Sequence, residues 1–420
     1  TSPAFTVDLA PAGAELQAAG IRAMWEQLTR LSSNIDVLYQ SPEWIDHLLA
    51  IGWTAPLHLG VMRAASGACT GVVPVNVSPY TVRFQVGTFG LWQKPLRTVY
   101  LMGSQPSIPQ ETRAYDRLFA ALDEGLPQCD AVYMNSVPTE SYLWRYLKES
   151  PFIRERFVML LPEGIRPHHT IELPGTFEEY LAKFNSKTRN KLKRSVRMLT
   201  EHGGGALELK RIESPDQVEF FVSAAAQVAP RSWQRHEVGT RVSDTPAFRT
   251  QVGDLAARGL LRSYVLSCGG EPCALALGHQ FSSTYHYLEP LYDESLARFS
   301  PGTVLLCRIL QDLISHRPPR RFDFGTGDMP YKRHFGNRQY VDAAVLLLRR
   351  NLKNRLLCVK LPAPVRGPSR RGLRPVAPRA ALSPAARWRG SGSRTAEPFV
   401  TRLVGPAAHH YKGGCGGGCT

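Results

Sequence analysis

Three runs of apolar and aromatic residues lie between residues 260 and 292, with only a few turn residues between them. Gly-Gly-Glu-Pro at 269–272 separates the first two runs, and Ser-Ser at 282–283 separates the last two. Turns this short join neighbouring antiparallel strands, so the segment is predicted to form a three-stranded meander. Such a meander needs helices to cover its faces, and this constrains what the flanking sequence can be.

The sequence around the meander supplies these helices. The stretch "SPGTVLLCRILQDLISH" predicts an amphipathic helix, "RRFDFG" predicts a strand, and "YVDAAVLLLRR" is predicted to close the sheet. Before the meander, one long helix is predicted from residue 176 to the glycines at 203–205, and two more over 216–229 and 245–259.

The first half of the chain shows a similar order of elements. It predicts helices over 15–31 and 41–52, strands over 56–63, 71–78 and 81–89, a helix over 114–125 and a strand over 130–138. In the second of these helices, Ser41 is the expected N-cap and Pro42 the first helical residue. The sequence therefore predicts an α/β (α+β) fold of two related domains in tandem, each a mixed, mostly antiparallel sheet flanked by helices.

The predicted domain boundaries follow the prolines and the composition. They are a degenerate first domain over 1–150, a proline-containing connection over 151–175, a second, catalytic domain over 176–360 and a basic tail over 361–420. The tail holds ten Arg or Lys residues and one acid, a balance of +9 out of the net charge of +16. Because its Pro, Arg and Gly content predicts disorder, the basic charge says little about the folded part, and a nucleic-acid partner is not expected.

The cellular setting is predicted from composition alone. Eight cysteines in 420 residues are too few for a disulfide framework, and no run of 18 apolar residues predicts a membrane span. The start of the chain lacks a basic segment followed by an apolar run, so no secretory signal is predicted. We therefore expect a reduced, cytoplasmic protein.

Asp323-Phe324-Gly325 matches the magnesium-binding triplet of protein kinases. A kinase also needs an H-R-D catalytic loop upstream and a G-x-G-x-x-G loop earlier in the chain. The nearest candidate for the first is His316-Arg317-Pro318, which lacks the aspartate, and 203–205 is only a run of three glycines. The sequence thus excludes the kinase interpretation.

Residues 300–304, Ser-Pro-Gly-Thr-Val, open the helix that follows the meander. The first N–H groups of a helix have no intrahelical acceptor and lie at the positive end of its dipole, which makes such a turn suitable for a phosphate. The same three residues, Ser300, Pro301 and Gly302, also start helices that bind nothing. The turn alone leaves both interpretations open.

The longer run "DFGTGDMPYKRHFG" (323–336) decides between them when it is taken with the meander and the Ser-Pro-Gly helix. Together these features resemble the GNAT acyltransferase superfamily, and within it the BioF-like, CelD-type acetyltransferase domains, which are relatives of the Fem-type peptidyltransferases. The resemblance covers about 170–350 well. Over 35–150 it is weaker, and there "SPEWIDHLL" and "GVVPV" resemble the first, degenerate repeat of the family.

The resemblance implies that the phosphates of coenzyme A meet the N–H groups of Gly302, Thr303 and Val304 after Ser300. The chain departs from the general GNAT pattern, Q/R-x-x-G-x-G/A, because this turn keeps only one glycine and Pro301 has no N–H to donate. The first half has no equivalent turn, so one active site per chain is expected. Acetyl-CoA or another acyl-CoA is the expected co-substrate, without a metal.

Transfer of an acyl group from a thioester to an amine needs a base for the amine proton and an acid for the departing thiolate. The strand "STYHYLEPLY" offers His286 and Glu289. Their spacing of three residues places them on opposite faces of a regular strand unless a bulge intervenes, and each could also be an ordinary surface or core polar residue. By resemblance to the tyrosine that many GNAT enzymes place after the fifth strand, Tyr331 is the expected acid.

Two further groups are candidates for binding the acceptor. Asp328 and Lys332 lie beside Tyr331 and either bind the acceptor or pair with each other. Trp233 and Arg235 lie in the loop 230–244, which in the resembling family closes over the acceptor, although the tryptophan could equally anchor the loop in the core.

The predicted helix over 183–197 carries seven cations and no acid: Lys183, Lys187, Arg189, Lys191, Lys193, Arg194 and Arg197. Such a face is either solvated or meets an anionic donor, such as coenzyme A, an acyl carrier protein or tRNA.

The expected function is an N-acetyltransferase that acts on an amine of a small molecule, a sugar, an amino acid or an envelope or polysaccharide precursor. The alternatives are a Fem-type transferase that uses charged tRNA and a non-catalytic binding module with the same fold. The long helical arm that Fem-type enzymes usually insert in the second domain has no counterpart in this sequence.

Overall fold

A computed structural model of the chain describes residues 5–15, 19–86, 89–232, 242–351 and 354. The predicted disordered tail over 361–420 and the predicted acceptor residues Trp233 and Arg235 lie outside the described residues. No helix within the described ranges is long and apolar enough to cross a membrane. Five cysteines fall within these ranges, and all five are free thiols: Cys69, Cys129, Cys268, Cys273 and Cys307.

The strands alternate with helices along both halves of the chain. The strands are β1 (Phe5–Pro11), β2 (Leu57–Ala64), β3 (Cys69–Val86), β4 (Phe89–Leu101), β5 (Ala131–Pro138), β6 (Phe157–Leu160), β7 (Ile165–Glu172), β8 (Leu207–Ile212), β9 (Ser263–Cys268), β10 (Glu271–Phe281), β11 (Thr284–Tyr292), β12 (Arg321–Thr326) and β13 (Arg338–Arg349). The α-helices are α1 (Ala12–Glu15), α2 (Ala19–Leu31), α3 (Pro42–Ala50), α4 (Thr112–Gly125), α5 (Tyr142–Glu149), α6 (Pro151–Arg156), α7 (Phe177–Ala182), α8 (Ser186–His202), α9 (Val218–Val228), α10 (Pro246–Ala257), α11 (Pro301–Ser315) and α12 (Pro330–Phe335).

All of these strands join one sheet in the order β1-β2-β3-β4-β5-β13-β7-β12-β11-β10-β9-β8, and β6 pairs with β13. Each half contains an antiparallel meander, then a helix, then a strand that is parallel to the last strand of the meander. These parallel pairs are β4–β5 after helix α4 and β11–β12 after helix α11. The fold is therefore mixed α/β with the tandem, mostly antiparallel arrangement that the sequence predicts.

The two halves exchange their final strands. Strand β7 comes before the second half in sequence but pairs with β12, and β13 comes last but pairs with β5 of the first half. The two exchanged strands also pair with each other. Strand β13 therefore lies in the middle of the sheet and does not close it, which corrects the sequence prediction. The division into separate domains at 151–175 stays a prediction, because that segment contributes α6, β6 and β7 to this continuous structure.

Alternate residues of β13 enter two different apolar cores. Val345 and Leu347 pack in one core, and Leu346 and Leu348 pack in another. A strand that is buried on both faces needs a continuous apolar run, which explains the sequence of this segment. Burial of each such side chain stabilises the fold by about 1.5–3 kcal/mol.

Two other segments differ from the sequence predictions. The strand predicted over 71–78 and residues 81–86 of the next predicted strand form one long strand, β3, and its partner β4, which begins at Phe89, was not predicted. The long helix predicted from residue 176 is two helices, α7 and α8. It breaks before Ser186 because Asn185 is extended and its side chain caps α8 by accepting the N–H of Thr188.

A shared core joins the two halves on one face of the sheet. Trp44 and Ile45 of α3 belong to the same buried cluster as Phe221 of α9 and Val252 of α10. At the edge of this cluster, His47 and Asp254 lie 2.7 Å apart across the two halves. The segments that meet here fix the first half against the central strands of the second half.

Candidate active site

The central feature of the site is the separation of two parallel strands. β11 and β12 pair at only three positions, Thr284–Arg321, Tyr285–Phe322 and His286–Asp323. Beyond His286 and Asp323 this pairing ends, so the two strands part and a cleft opens between them. Backbone groups along the cleft lose their ladder partners there and become available to a ligand.

A β-bulge sets which side chains of β11 share a face. The register with β10 steps from Gly278–Tyr287 to Leu277–Glu289, so Leu288 is an extra residue. A one-residue bulge reverses the alternation beyond it, and His286 and Glu289 therefore lie on the same face.

The packing around the bulge agrees with this assignment. Tyr285 and Tyr287 belong to one buried cluster, whereas Leu291 belongs to the core shared by the two halves. The bulge thus brings together the two candidate bases that a regular strand would have separated.

His286 and Asp323 are the buried pair at the point of separation. Their exposed fractions are 2% and 4%, and Nδ1 of His286 lies 3.4 Å from Oδ2 of Asp323. Nε2 of His286 is buried and has no hydrogen-bond partner in the described part of the chain. A buried nitrogen without a partner is costly, so it marks a place where a ligand can bind.

Asp323 belongs to a chain of alternating carboxylates and imidazoles that crosses four neighbouring strands. Its Oδ1 lies 2.6 Å from Nε2 of His168 on β7 and accepts the N–H of Gly325 at 2.9 Å. Nδ1 of His168 lies 2.9 Å from Oδ2 of Asp342 on β13. Arg166 donates to the other oxygen of Asp342 at 2.9 Å.

The protonation of this network follows from its contacts. Burial alone would lower the pKa of His168, but Asp323 and Asp342 on either side raise it to about 9. Only a charged imidazolium can donate from both ring nitrogens at once. Burial works to raise the pKa of both carboxyls, yet the charge and hydrogen bonds of His168 hold the pKa of Asp323 well below its usual range and lower the pKa of Asp342. Asp323 is therefore a fixed carboxylate that orients His286.

The first half of the chain contributes Asp36 to the same place. A carboxylate oxygen of Asp36, one of Asp323 and a ring nitrogen of His286 all lie within 4.8 Å of one another. Burial, and then the charge of Asp323, raise the pKa of Asp36 to about 6. Among the described residues, these three offer ligand atoms close enough to share a cation.

The turn that opens α11 has an unusual conformation. Ser300 is left-handed, with φ 57°, and its side chain does not cap the helix. Its carbonyl accepts the N–H groups of Thr303 at 3.0 Å and of Val304 at 3.1 Å. Of the three N–H groups predicted to meet phosphate, the one on Gly302 is left without an acceptor in the described residues. A Cβ atom at Gly302 would lie 3.2 Å from the ring of Tyr292, so a side chain there would press on the cleft wall.

Tyr331 and Lys332 lie on the short helix α12 that follows β12. The Tyr331 ring packs edge-on to Phe324 with 5.8 Å between centroids, and burial raises its pKa to about 12. Lys332 is 7% exposed, and its ammonium donates to the carbonyls of Gly325 at 3.2 Å and Thr326 at 2.7 Å. Lys332 therefore holds the loop between β12 and α12.

Asp328 does not pair with Lys332. Its carboxylate lies 3.0 Å from His169 Nε2 and 3.3 Å from Arg333 Nε. Of the two possibilities that the sequence leaves open for this pair, mutual pairing is thus wrong. Acceptor binding by Asp328 stays a prediction.

The basic face of α8 is exposed, but Lys183 is not part of it. Lys183 lies before α8, and its ammonium donates to the carbonyls of His334, Phe335 and Gly336 at the end of α12. Five cations of α8 have no acidic partner in the described part of the chain: Lys187, Arg189, Lys191, Lys193 and Arg194. Arg197 lies 3.5 Å from Glu201.

Sequence reasoning identified His286 but missed His168, Asp342 and Asp36. A polar Asp342 at the start of an apolar strand and a His-His pair in β7 were the available signals. Their meaning depends on the exchange of strands, because β7 and β13 bring these residues beside β12 only in the folded chain.

An antiparallel meander, a helix and a parallel strand that separates from the meander follow one another in the order typical of the GNAT fold. The comparisons with known proteins agree with this fold. Residues 186–333 match the model of the acetyltransferase (GNAT) domain family. The second half of the chain is therefore similar to GNAT acetyltransferase domains over these residues.

Solved structures show the same fold at low identity. The crystal structure of FemX superposes with a TM-score of 0.56 and 12% identity, covering 80% of this chain and 98% of that one. A conserved protein of unknown function from Bacteroides thetaiotaomicron gives a TM-score of 0.50 and 11% identity, covering 78% and 97%. No curated protein sequence matches the chain.

Proposed function

We propose that the chain is an N-acyltransferase that moves an acyl group, in the simplest case acetyl, from coenzyme A to an amine. The observation that carries the proposal is the geometry of His286, which lies where β11 and β12 part. Its Nδ1 is oriented by the Asp323 carboxylate and its Nε2 is buried without a partner. This is the arrangement of a general base that waits for a substrate proton.

In the proposed reaction, Nε2 of His286 takes a proton from the acceptor amine, and the amine nitrogen attacks the thioester carbonyl carbon. The new C–N bond forms, the C–S bond breaks, and the sulfur leaves as a thiolate. Tyr331 donates to that sulfur, since a phenol with a pKa of about 12 stays protonated at neutral pH. Glu289 lies on the same face of β11 and is the second candidate for the proton.

The donor's pyrophosphate is proposed to bind at the turn from Ser300 to Val304. The free N–H of Gly302 supports this, together with the positive end of the α11 dipole. The acceptor is proposed to be a small molecule, an amino acid or a sugar or envelope precursor, bound beside Asp328. An acyl-CoA donor and free thiols are consistent with a cytoplasmic protein, which we also propose.

Titration calorimetry with acetyl-CoA and an assay for released thiol test this proposal. Wild type is expected to bind one acetyl-CoA per chain and to release thiol when a primary amine is added. Gly302→Glu should lose the binding, because it adds a negative charge where phosphate binds and presses on Tyr292. Gly253→Glu is the matched control, since a Cβ atom there meets nothing within 4 Å. Equal binding by all three proteins would exclude the turn as the donor site.

One observation favours a second candidate, a Fem-type transferase whose donor is charged tRNA. The unpaired cations of α8 form a face suited to a polyanion, and Fem-type enzymes resemble this chain in fold. Replacing Lys187, Lys191 and Lys193 by Ala should then weaken tRNA binding and lower its salt dependence by about three phosphate contacts. Binding of acetyl-CoA without salt-dependent tRNA binding would exclude this candidate.

A further inference from the structure

Asp36 is held in place by the backbone around it. Its N–H donates to Oδ1 of Asn34 at 3.1 Å, and its carbonyl accepts the N–H of Tyr39 at 3.1 Å. Asn34 in turn donates to the carbonyls of Gly103 and Gln105 at 3.0 Å each. A Cβ atom at Gly103 would lie 2.5 Å from the Asp36 carbonyl, so the two backbones can meet this closely only with glycine there.

The Asp36 side chain contrasts with this well-bonded backbone. In the described residues its carboxylate accepts no hydrogen bond, although it is only partly exposed. A rigid backbone that presents an unsatisfied carboxylate resembles a binding group more than a structural one.

The neighbours of this carboxylate come from the second half. An oxygen of Asp323 and a ring nitrogen of His286 lie with it inside 4.8 Å, and His286 is 98% buried with an unpartnered Nε2. The charge of Asp323 is already balanced by His168 on its other oxygen. No Arg or Lys among the described residues pairs with Asp36, and the charges of His286 and His168 only partly offset burial and the charge of Asp323, which raise its pKa to about 6. A cation placed here would offset both the burial of the Asp36 charge and its repulsion by Asp323.

We propose that Asp36 binds the ammonium group of the acceptor, so that the first half of the chain selects acceptors with a primary amine. This inference rests on the proposed function. An amine reaches the enzyme as R–NH3+ and must lose a proton before it can attack. Asp36 holds the cation, and Nε2 of His286 removes one proton. The neutral amine then forms the C–N bond with the thioester carbonyl carbon as the C–S bond breaks, Tyr331 gives a proton to the departing sulfur, and the second amine proton replaces it.

Methylammonium chloride is the probe, because it carries the ammonium group and nothing else. Ring signals of the histidines are followed by NMR at pH 7.5, and His286 is assigned with His286→Gln. In wild type the His286 signal should shift saturably, and in Asp36→Asn the affinity should fall at least about tenfold. Asp8→Asn removes the same charge from an exposed aspartate of β1 and should behave as wild type.

Two controls keep this test decisive. Asp36→Asn removes a carboxylate that burial disfavours, so its unfolding temperature should not fall, and Asp36→Glu restores the charge and should regain part of the binding. Equal shifts in wild type, Asp36→Asn and Asp8→Asn, or no shift in wild type, overturn the proposal. Micromolar Mn2+ or Zn2+ binding that disappears in Asp36→Asn also overturns it, because the cation is then a metal ion.

The proposed function can fail separately. Its own test is thiol release from acetyl-CoA, whereas the methylammonium titration needs no donor and no turnover. If transfer occurs, Asp36→Asn should raise KM for the amine at least about tenfold and leave KM for acetyl-CoA unchanged. A variant that loses kcat with both KM values intact would show that Asp36 does not bind the acceptor.

Discussion

The two halves of the molecule part their parallel strands in the same way but place different residues there. In the second half the last pair before the separation is His286–Asp323. In the first half β4 and β5 also pair at three positions, and the last pair is Tyr100–Tyr133. Their rings lie 5.2 Å apart, and Tyr133 also packs against Tyr80. The first half fills its separation with aromatic rings where the second half holds an acid–base pair.

The helices that follow the two meanders, α4 and α11, also differ in whether their first turn can bind a phosphate. Helix α11 begins at Pro301 after a turn that leaves the Gly302 N–H free, whereas α4 begins after Glu111, an acidic residue at the N-cap position. A carboxylate there occupies the positive end of the helix dipole and repels a phosphate. The shared framework thus fixes where an active site can form, and a few residues decide in which half it does.

The largest expected effect is on activity, and it distinguishes the His286–Asp323 pair from the Tyr100–Tyr133 pair. His286→Gln should lower thiol release from acetyl-CoA by about 10²–10⁴-fold, the usual contribution of a general base. Tyr100→Phe at the equivalent position of the first half should stay within about twofold of wild type. A Tyr100 variant as damaged as the His286 variant would show that the first half takes part in the chemistry.

The charged network of the second half predicts a pH dependence of stability. The folded pKa of His168, about 9, lies above the unfolded value of about 6.5. The stabilisation is therefore fully present below about pH 6.5, is lost as pH rises through 9, and amounts to about 3 kcal/mol. Urea unfolding of wild type and His168→Asn at several pH values measures this stabilisation as the difference between their free energies of unfolding.

The comparison with His168→Asn is needed because other groups change their charge in the same pH range. Burial lowers the pKa of Lys183 and Lys332 to about 8, which adds stability as pH rises from there towards the unfolded value. Both variants share this effect, so it cancels. Parallel stability curves for wild type and His168→Asn between pH 6.5 and 9 would contradict the assigned charge on His168.

The helix termini predict a smaller effect on binding. Glu111→Ser removes the acid at the start of α4, but the described residues place Tyr100–Tyr133 and no His–Asp pair beside that helix, so acetyl-CoA should still bind once per chain. Gly302→Glu should weaken the single site at least about tenfold, or about 1.4 kcal/mol. Two equivalents bound by Glu111→Ser would mean that the acid alone had closed a second site. Calorimetric stoichiometry distinguishes these results.

Local patterns in the sequence predicted much of the fold of the second half. The turn residues of the meander, Ser41 as a cap and the helix from Pro301 are all confirmed. The position predicted for β13, at the edge that closes the sheet, was wrong, although its run "DAAVLLL" is the continuous apolar pattern of a central strand. Local pattern cannot name the neighbours of a strand, and here they come from sequence more than 150 residues away.

The candidate site shows the same limit more sharply. His286 could be chosen from its strand, but its face depends on the bulge at Leu288, which no residue type announces. Asp323 was noticed only as part of a misleading triplet, although it orients His286. Asp36 gave no signal, because a carboxylate before a short turn is ordinary until the structure places it beside the other two.

The smallest effect concerns cations that hold helix ends. Arg349 of β13 is buried and donates to carbonyls at the end of α4, whereas the more exposed Lys183 does the same for α12. Because the Lys183 side chain is exposed along most of its length and only its ammonium group is partly buried, Lys183→Met should lower the free energy of unfolding by only about 1 kcal/mol. Lys187→Met, which removes an exposed cation of α8, should change it by less than about 0.5 kcal/mol. Urea unfolding at pH 7 measures both. Equal changes in the free energy of unfolding for the two variants would show that Lys183 contributes no more than the solvated cations of α8. Thiol release by Lys183→Met would then show whether α12, which carries Tyr331, depends on the contact with Lys183.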